Sequence, residues 1–172
     1  MISESQVKTV GHVFCDIEYK NGKKIEMNFA NTVLIGGREA LAQVLTNTLG
    51  TCPSVNTSTS TELVPSLYIS NMLFGNNGVE VISNTPKVVS PARTSLFGTP
   101  VIVKPVNSYT NQTITTQAIF TTTLLFGDAV GIYLSEMALQ LSNGVLYSMV
   151  TFPPIYKSAE TQITFNWTLN FV

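Results

Sequence analysis

Residues 162–171 read QITFNWTLNF, and the fold turns on how this stretch is taken. Ile163, Phe165, Trp167, Leu169 and Phe171 stand at every second position, with Thr, Asn and Gln between them. Successive side chains of a strand point to opposite faces, so a period of two marks a strand with one buried face. A helix would space its apolar residues three and four apart instead. The second face is the unusual one. It is polar yet carries no ion, where a strand facing water commonly shows Lys or Glu, and that raises the question of what lies against it.

The same grammar runs back through the C-terminal half. LFGTPVIVKPV (96–106), QTITTQAIFTTTLLF (112–126), GIYLSEMALQL (131–141) and VLYSMVTF (145–152) all read as strands. Asn143-Gly144 signals a hairpin between the last two. Pro153-Pro154 should end the fourth strand, because proline cannot donate to a ladder. Further upstream, SLYISNMLF (66–74) is a strand closed by the turn GNNG, and VGHVFCDIEYKNGKKIEMNF (10–29) is a hairpin around a type I′ turn at Asn21-Gly22.

One segment has helical spacing. In NTVLIGGREALAQVLTNTLG (31–50), Leu34, Leu41, Val44, Leu45 and Leu49 share a face, Asn31 or Thr32 is placed to cap, and Gly50 suits the C′ position. Gly36 and Gly37 weaken the first turn, so the regular helix is expected from Arg38. TCPSVNTSTSTELVP (51–65) reads as a loop, and ISNTPKVVSPARTS (82–95), with Pro86 and Pro91, as a surface excursion. Six to eight strands and one helix predict a mostly β chain: an antiparallel β-sandwich, jelly-roll-like, with an N-terminal hairpin. The expected organisation is a single domain over 1–172, with the hairpin in 1–30, the helix in 31–50 and the main strands in 66–172.

Composition narrows the function classes. Charged residues make up only 11% of the 172, against roughly 25% in typical soluble domains. The net charge is −1 with no Lys/Arg stripe, which argues against a nucleic-acid partner. Asp16, Glu18, Lys20, Lys23, Lys24 and Glu26 crowd one hairpin, whereas residues 105–172 hold only Asp128, Glu136, Lys157 and Glu160. No apolar run reaches the roughly 20 residues of a membrane span, and MISESQVKTV lacks the marks of a signal peptide. Cys15 and Cys52 have no metal-like spacing and read as free thiols in a reducing compartment. The Asn-x-Ser/Thr matches at Asn56, Asn111 and Asn166 are taken as chance.

Catalytic chemistry finds little purchase. His12 is the sole histidine, and alternation places it on the face opposite Cys15, so it reads as a polar residue on a half-wet strand. Asp128 sits in FGDAVG as a turn former, and Glu160 in KSAETQ as a solvated loop residue. Glu136 lies inside an apolar strand, where a carboxylate must be paired or hydrogen-bonded, and Arg93 is the suggested structural partner. LIGGRE lacks phosphate-loop spacing, so its glycines are assigned to close helix packing. The row Phe165, Trp167, Phe171 is assigned to core packing rather than sugar stacking. The reading is therefore not an enzyme, with no cofactor and no metal.

Several pieces, taken in order, resemble the small structural proteins of tailed-bacteriophage virions. They are NTVLIGGREAL (31–41), ISNMLFGNNG (69–78), ARTSLF (92–97), YLSEMALQLSNGVLYSMVTFPPIYK (133–157) and ITFNWTL (163–169), with TFPPIYK followed by the Trp strand the most distinctive. The resemblance implies a decoration, tail, collar or fibre-associated part of the particle, assembled in the host cytoplasm and located in the virion. The chain departs from that layout in its longer Pro-rich stretch 83–92 and in its N-terminal hairpin, where a specific docking role is expected.

The uncharged face fits this picture. Interface cores are depleted of charge, because a buried unpaired ion is costly while amides and hydroxyls pair readily. β propensity accounts for the threonines but not for the missing Lys and Glu. Thr121, Thr123, Asn166 and Thr168 are the interface candidates, with partners expected to be the chain itself, as a trimer or higher homo-oligomer, and other virion proteins. Head decoration is favoured over a neck, collar or tail position. A carbohydrate-binding module recognising host glycans is the alternative of a different class, and it requires exposed aromatics among Tyr68, Phe74, Tyr109 and Tyr156.

Overall fold

The computed structural model describes residues 9–46, 67–110 and 116–171. In chain order the elements are β1 (Thr9–Tyr19), β2 (Lys24–Ala30), β3 (Thr32–Val33), α1 (Ile35–Thr46), β4 (Ile69–Gly75), β5 (Ile102–Pro105), β6 (Asn107–Thr110), β7 (Gln117–Leu124), β8 (Ile132–Leu141), β9 (Leu146–Lys157) and β10 (Thr161–Phe171). They form two antiparallel five-stranded sheets, ordered β2-β1-β10-β7-β6 and β3-β9-β8-β4-β5. This is a β-sandwich with one helix, as the alternation requires.

The strand QITFNWTLNF lies at the centre of the first sheet. Trp167 stands opposite Val13 on one side and Phe120 on the other. Ile163, Phe165, Trp167 and Leu169 are essentially without solvent exposure, each contributing roughly 1.5–3 kcal/mol of burial for side chains of this size. Two ring pairs join the sheets: Phe74 with Phe165 at 4.8 Å between centroids, and Phe29 with Phe152 at 5.0 Å. Phe74 is therefore core, which removes it from the loop aromatics that sugar binding requires.

Four local expectations are corrected. First, neither Asn31 nor Thr32 caps the helix: the Asn31 side chain makes no hydrogen bond among the described residues, and Thr32 with Val33 pairs with Met149 and Ser148 as the edge strand β3. The helix then begins at Ile35 and includes both glycines. A Cβ at Gly37 would collide with the Tyr147 carbonyl and one at Gly36 would reach 2.7 Å from Val145 Cγ1, so close packing explains the pair. Of the expected helical face, Leu49 and the Gly50 cap lie outside the described residues, and Leu34 precedes the helix.

Second, the Asn21-Gly22 turn is not type I′, since only Gly22 has positive φ, at 83°. Gly22 N–H donates to the Tyr19 carbonyl and Tyr19 N–H to Lys23, the pattern of a three-residue loop ending in a left-handed glycine. Asn143-Gly144 repeats it, with Gly144 donating to Leu141, Leu141 to Val145, and φ 89° at the glycine. In both turns the Asn side chain accepts the amide two residues on, the Asx bond that favours asparagine there.

Third, β9 runs through Pro153-Pro154 instead of ending before them. Glu136 pairs with Thr151 and Leu134 with Ile155, so Ser135 alone faces residues 152–154. The prolines occupy a bulge where no ladder donor is required.

Fourth, of the expected strand 96–106 only Ile102–Pro105 is a strand, β5, and a separate strand, β6, follows it on the other sheet. β5 pairs with β4 and β6 with β7, and the chain crosses over at Val106. Nor is the Pro-rich excursion free along its whole length. Val89 and Phe97 pack with Leu34, Leu73, Leu96, Ala138, Leu146 and Met149 as a second apolar cluster on the outer side of the second sheet.

Candidate functional site

The outer face of the first sheet gathers four of the six residues singled out from sequence. β10 alternates buried and half-buried positions, and its half-buried row is Gln162, Thr164, Asn166, Thr168 and Asn170. Register places Thr123 beside Thr164, Thr121 beside Asn166 and Ile119 beside Thr168. Thr121 Oγ1 donates to Asn166 Oδ1 at 2.9 Å, the Thr123 and Thr164 hydroxyls are 3.0 Å apart, and Gln117 Nε2 donates to Asn170 Oδ1 at 2.9 Å. These cross-strand pairs stabilise the sheet by ~0.2–1 kcal/mol each. His12 lies on the same face opposite Thr168, and Phe14 opposite Asn166 with 47% of its surface exposed. Ions appear on this face only toward the hairpin, where Asp16, Glu18, Lys24 and Glu26 sit. Asp16 stands beside Thr164 and accepts from Asn166 Nδ2 at 3.4 Å, while the outward positions of β7 and β10 themselves carry no ion.

The other two candidates are not brought together as a pair. Glu136 is fully buried, and its carboxylate accepts the backbone amides of Phe97 at 2.7 Å and of Asn77 and Gly98 at 3.2 Å each. Arg93 instead donates to the carbonyls of Ser95 and Leu96 and lies 3.7 Å from the centroid of the Phe97 ring. The pairing is corrected because three amide dipoles already satisfy the anion. Both residues still serve one end: they fix the two limbs of the loop 76–98 against β8. A Cβ at Gly75 would strike the Glu136 carboxylate and one at Gly78 the Ser135 carbonyl, so Gly75 admits the carboxylate and Gly78 the close approach of β8.

The remaining ionisable groups are placed structurally. Asp128 accepts from the Leu125 amide at 2.8 Å and pairs with Lys104 at 2.6 Å, as a turn former would. Partial burial works to raise its pKa, but the Lys104 hydrogen bond, the Leu125 amide and the charges of Lys104 and Lys157 hold it below the usual value. Lys157 is buried with Nζ donating to Phe126 and Ser158 carbonyls. Burial lowers its pKa, and Asp128 offsets part of that. Glu160 forms an exposed ion pair with Lys20 at 2.9 Å. Among the described residues no group of three or more His, Cys, Asp or Glu is arranged to hold a metal, and no helix is long and apolar enough to cross a membrane.

Cys15 faces inward, away from His12, and its thiol pKa is pushed up to about 12, first by burial and then by neighbouring Asp16. Two consequences are measurable in a Cys52→Ser variant. Thiol reagents at pH 8 should label the native protein at least about a hundredfold more slowly than the unfolded chain, since the thiolate is the nucleophile. Because the folded state holds its proton more tightly, stability should fall as pH rises from about 9 towards 12, by up to ~1.4 kcal/mol per pH unit. Replacing Cys15 with Ala should flatten that slope.

Two features were not read from sequence: the partner of Tyr156, and the exposure of Val81 and Ile82. Tyr133 and Tyr156 form an exposed cross-strand pair on the outer side of the second sheet, ring centroids 4.9 Å apart. Their bulge-shifted register hides the pairing from simple alternation. Val81 and Ile82, in the loop after β4, are almost entirely exposed. Tyr109, the remaining loop aromatic, lies on β6, and Tyr68 is 57% exposed. Compared with protein-family models, with curated protein sequences and with solved structures, the chain matches none.

Proposed function

We propose that this chain is a non-enzymatic structural component of a tailed-phage virion, working as a symmetric homo-oligomer against other virion proteins, with head decoration the favoured position. One observation carries the oligomer: the outward positions of β7 and β10, Gln117 to Thr123 and Thr164 to Asn170, hold no ion and hydrogen-bond one another across the strands, with Asp16 beside Thr164 the ion at their margin. Such a surface enters an interface without the desolvation cost that Lys or Glu would bring. The virion part of the proposal is supported by the resemblance of the segments from 31 to 169. In the decoration version, the charged hairpin tip at Lys20–Lys24 faces away from the particle.

Light scattering tests the assembly. The protein is expected to sediment and scatter as a trimer or larger species. Thr121→Lys with Thr168→Lys should raise the dissociation constant at least about a hundredfold, because each lysine buries an unpaired charge. The melting midpoint of the monomer should stay within about 3 °C of its original value, as expected of surface changes. A wild-type protein that stays monomeric at millimolar concentration overturns the proposal. Immunogold on purified particles addresses position. Label on heads supports decoration, and label on necks or tails with bare heads replaces it with an attachment role.

The exposed Tyr133–Tyr156 pair favours a second reading, a carbohydrate-binding face that stacks sugar rings. Binding to a host polysaccharide panel that is lost in Tyr156→Ala would support it. A flat response across the panel would remove it.

A further inference from the structure

The loop after β4 is built like a finger. Val79 and Pro86 form a β-bridge, Glu80 N–H donates to Thr85 and Asn84 N–H to Glu80, each at 2.9 Å, and Asn84 turns the chain with φ 53°. Lys87 N–H closes the base on the Gly78 carbonyl at 2.8 Å, and Gly78 N–H is held by Ser135 Oγ at 2.9 Å. At the tip of this fixed scaffold Val81 is 96% exposed and Ile82 fully so. A mobile loop can fold such side chains back, whereas a hydrogen-bonded one presents them outward. Two adjacent aliphatic side chains held in water on a rigid tip suit insertion into an apolar hole.

The same chain carries such a hole. A cavity of about 290 Å³ opens among Leu41, Tyr68, Ile69, Phe120, Leu141 and Phe171. It lies where β4 begins, at Ile69, whereas the finger leaves where β4 ends, at Gly75. Seven strand residues separate them by roughly 20 Å, so tip and hole occupy opposite ends of the second sheet and one copy cannot fill its own cavity.

Charge agrees with this direction of fit. Glu80 flanks Val81 on the finger, and Arg38 lies three residues before Leu41 on α1, hence beside it on the helix surface. Both are exposed, and neither takes part in an ion pair among the described residues. Glu39, two residues before Leu41, does not share that side of the helix.

We propose that Val81 and Ile82 plug the apolar cavity of a second copy of this chain, with Glu80 meeting Arg38 at its rim. Tip and cavity are different surfaces, so the contact is head-to-tail and closes into a ring or extends into a filament according to the rotation between copies. The inference is independent of the virion reading and of the Thr/Asn face.

Cysteine pairing tests it in a Cys52→Ser background. Ile82→Cys and Tyr68→Cys proteins, mixed under mild Cu(II)-phenanthroline oxidation, should give a covalent dimer that neither gives alone, and a chain bearing both should give a ladder or closed ring. No cross-link in the mixture, or equal cross-linking of Ile82→Cys with itself, overturns the proposal. In sedimentation velocity, Ile82→Ser should weaken association roughly tenfold or more, as loss of an interface anchor does. Glu80→Arg and Arg38→Glu should each weaken it, and their combination should return to within a few-fold of the original. A combination no better than either single change also overturns it. Thr121→Lys with Thr168→Lys should leave the cross-link intact, which separates failure of this contact from failure of the sheet-face interface.

Discussion

Replacing Glu136 with Ala is expected to cost roughly 3–5 kcal/mol, the range for removing one side of a buried charged hydrogen-bond network. The carboxylate is the acceptor for the amides of Asn77, Phe97 and Gly98, on two limbs of one loop. Without it those donors have no acceptor at that point, and the space beside Gly75 empties. For a domain of this size each kcal/mol moves the melting midpoint by about 2–4 °C, so a fall of roughly 6–20 °C should appear in a thermal melt. Glu136→Gln should lose somewhat less, since one oxygen remains while the new NH2 faces amide donors. Arg93→Ala should cost about 1 kcal/mol, the value of two exposed-side hydrogen bonds and a ring contact. Hydrogen exchange gives a local check: the amides of 77, 97 and 98 should lose protection in Glu136→Ala ahead of those in β10. A melt within 1 kcal/mol of the original would show that the loop holds itself.

Glu136 also marks how far a sequence can be read. That a carboxylate within YLSEMAL must be satisfied follows from the cost of burying an anion. Its partners do not follow, because they are backbone amides 38, 39 and 59 residues away, and amides carry no sequence signal. The central strand was legible because a period of two is a local property. Pro153-Pro154 misled for the complementary reason: whether a missing N–H matters depends on the opposing strand, and there Ser135 alone faces three residues. Tyr133 meets Tyr156 through that same shifted register. The uncharged outer row, with Thr121, Thr123, Asn166 and Thr168, was visible as composition plus alternation and lies on one surface. The finger was visible only as a Pro-rich interruption, since the exposure of Val81 and Ile82 comes from hydrogen bonds that fix the turn.

The strand that first indicated a sandwich supplies the second large effect. Trp167→Ala should cost about 3–5 kcal/mol, as large aromatic-to-Ala changes in cores do. Trp167 has no exposed surface and lies in register between Val13 and Phe120, so neighbours on both sides are held by their own ladders and cannot collapse into the space. Trp167→Phe separates volume from polarity. The indole Nε1 is buried with no hydrogen-bond partner among the described residues, a group whose burial costs ~1–3 kcal/mol. Phenylalanine removes that donor and leaves a smaller void, penalised at about 24 cal/mol per Å³. The two contributions oppose, so Trp167→Phe should lie within about 1.5 kcal/mol of the original in urea unfolding. A Phe variant as unstable as the Ala variant would mean that the outer ring of the indole alone holds the centre of the first sheet, and that its unpaired N–H carries no measurable cost.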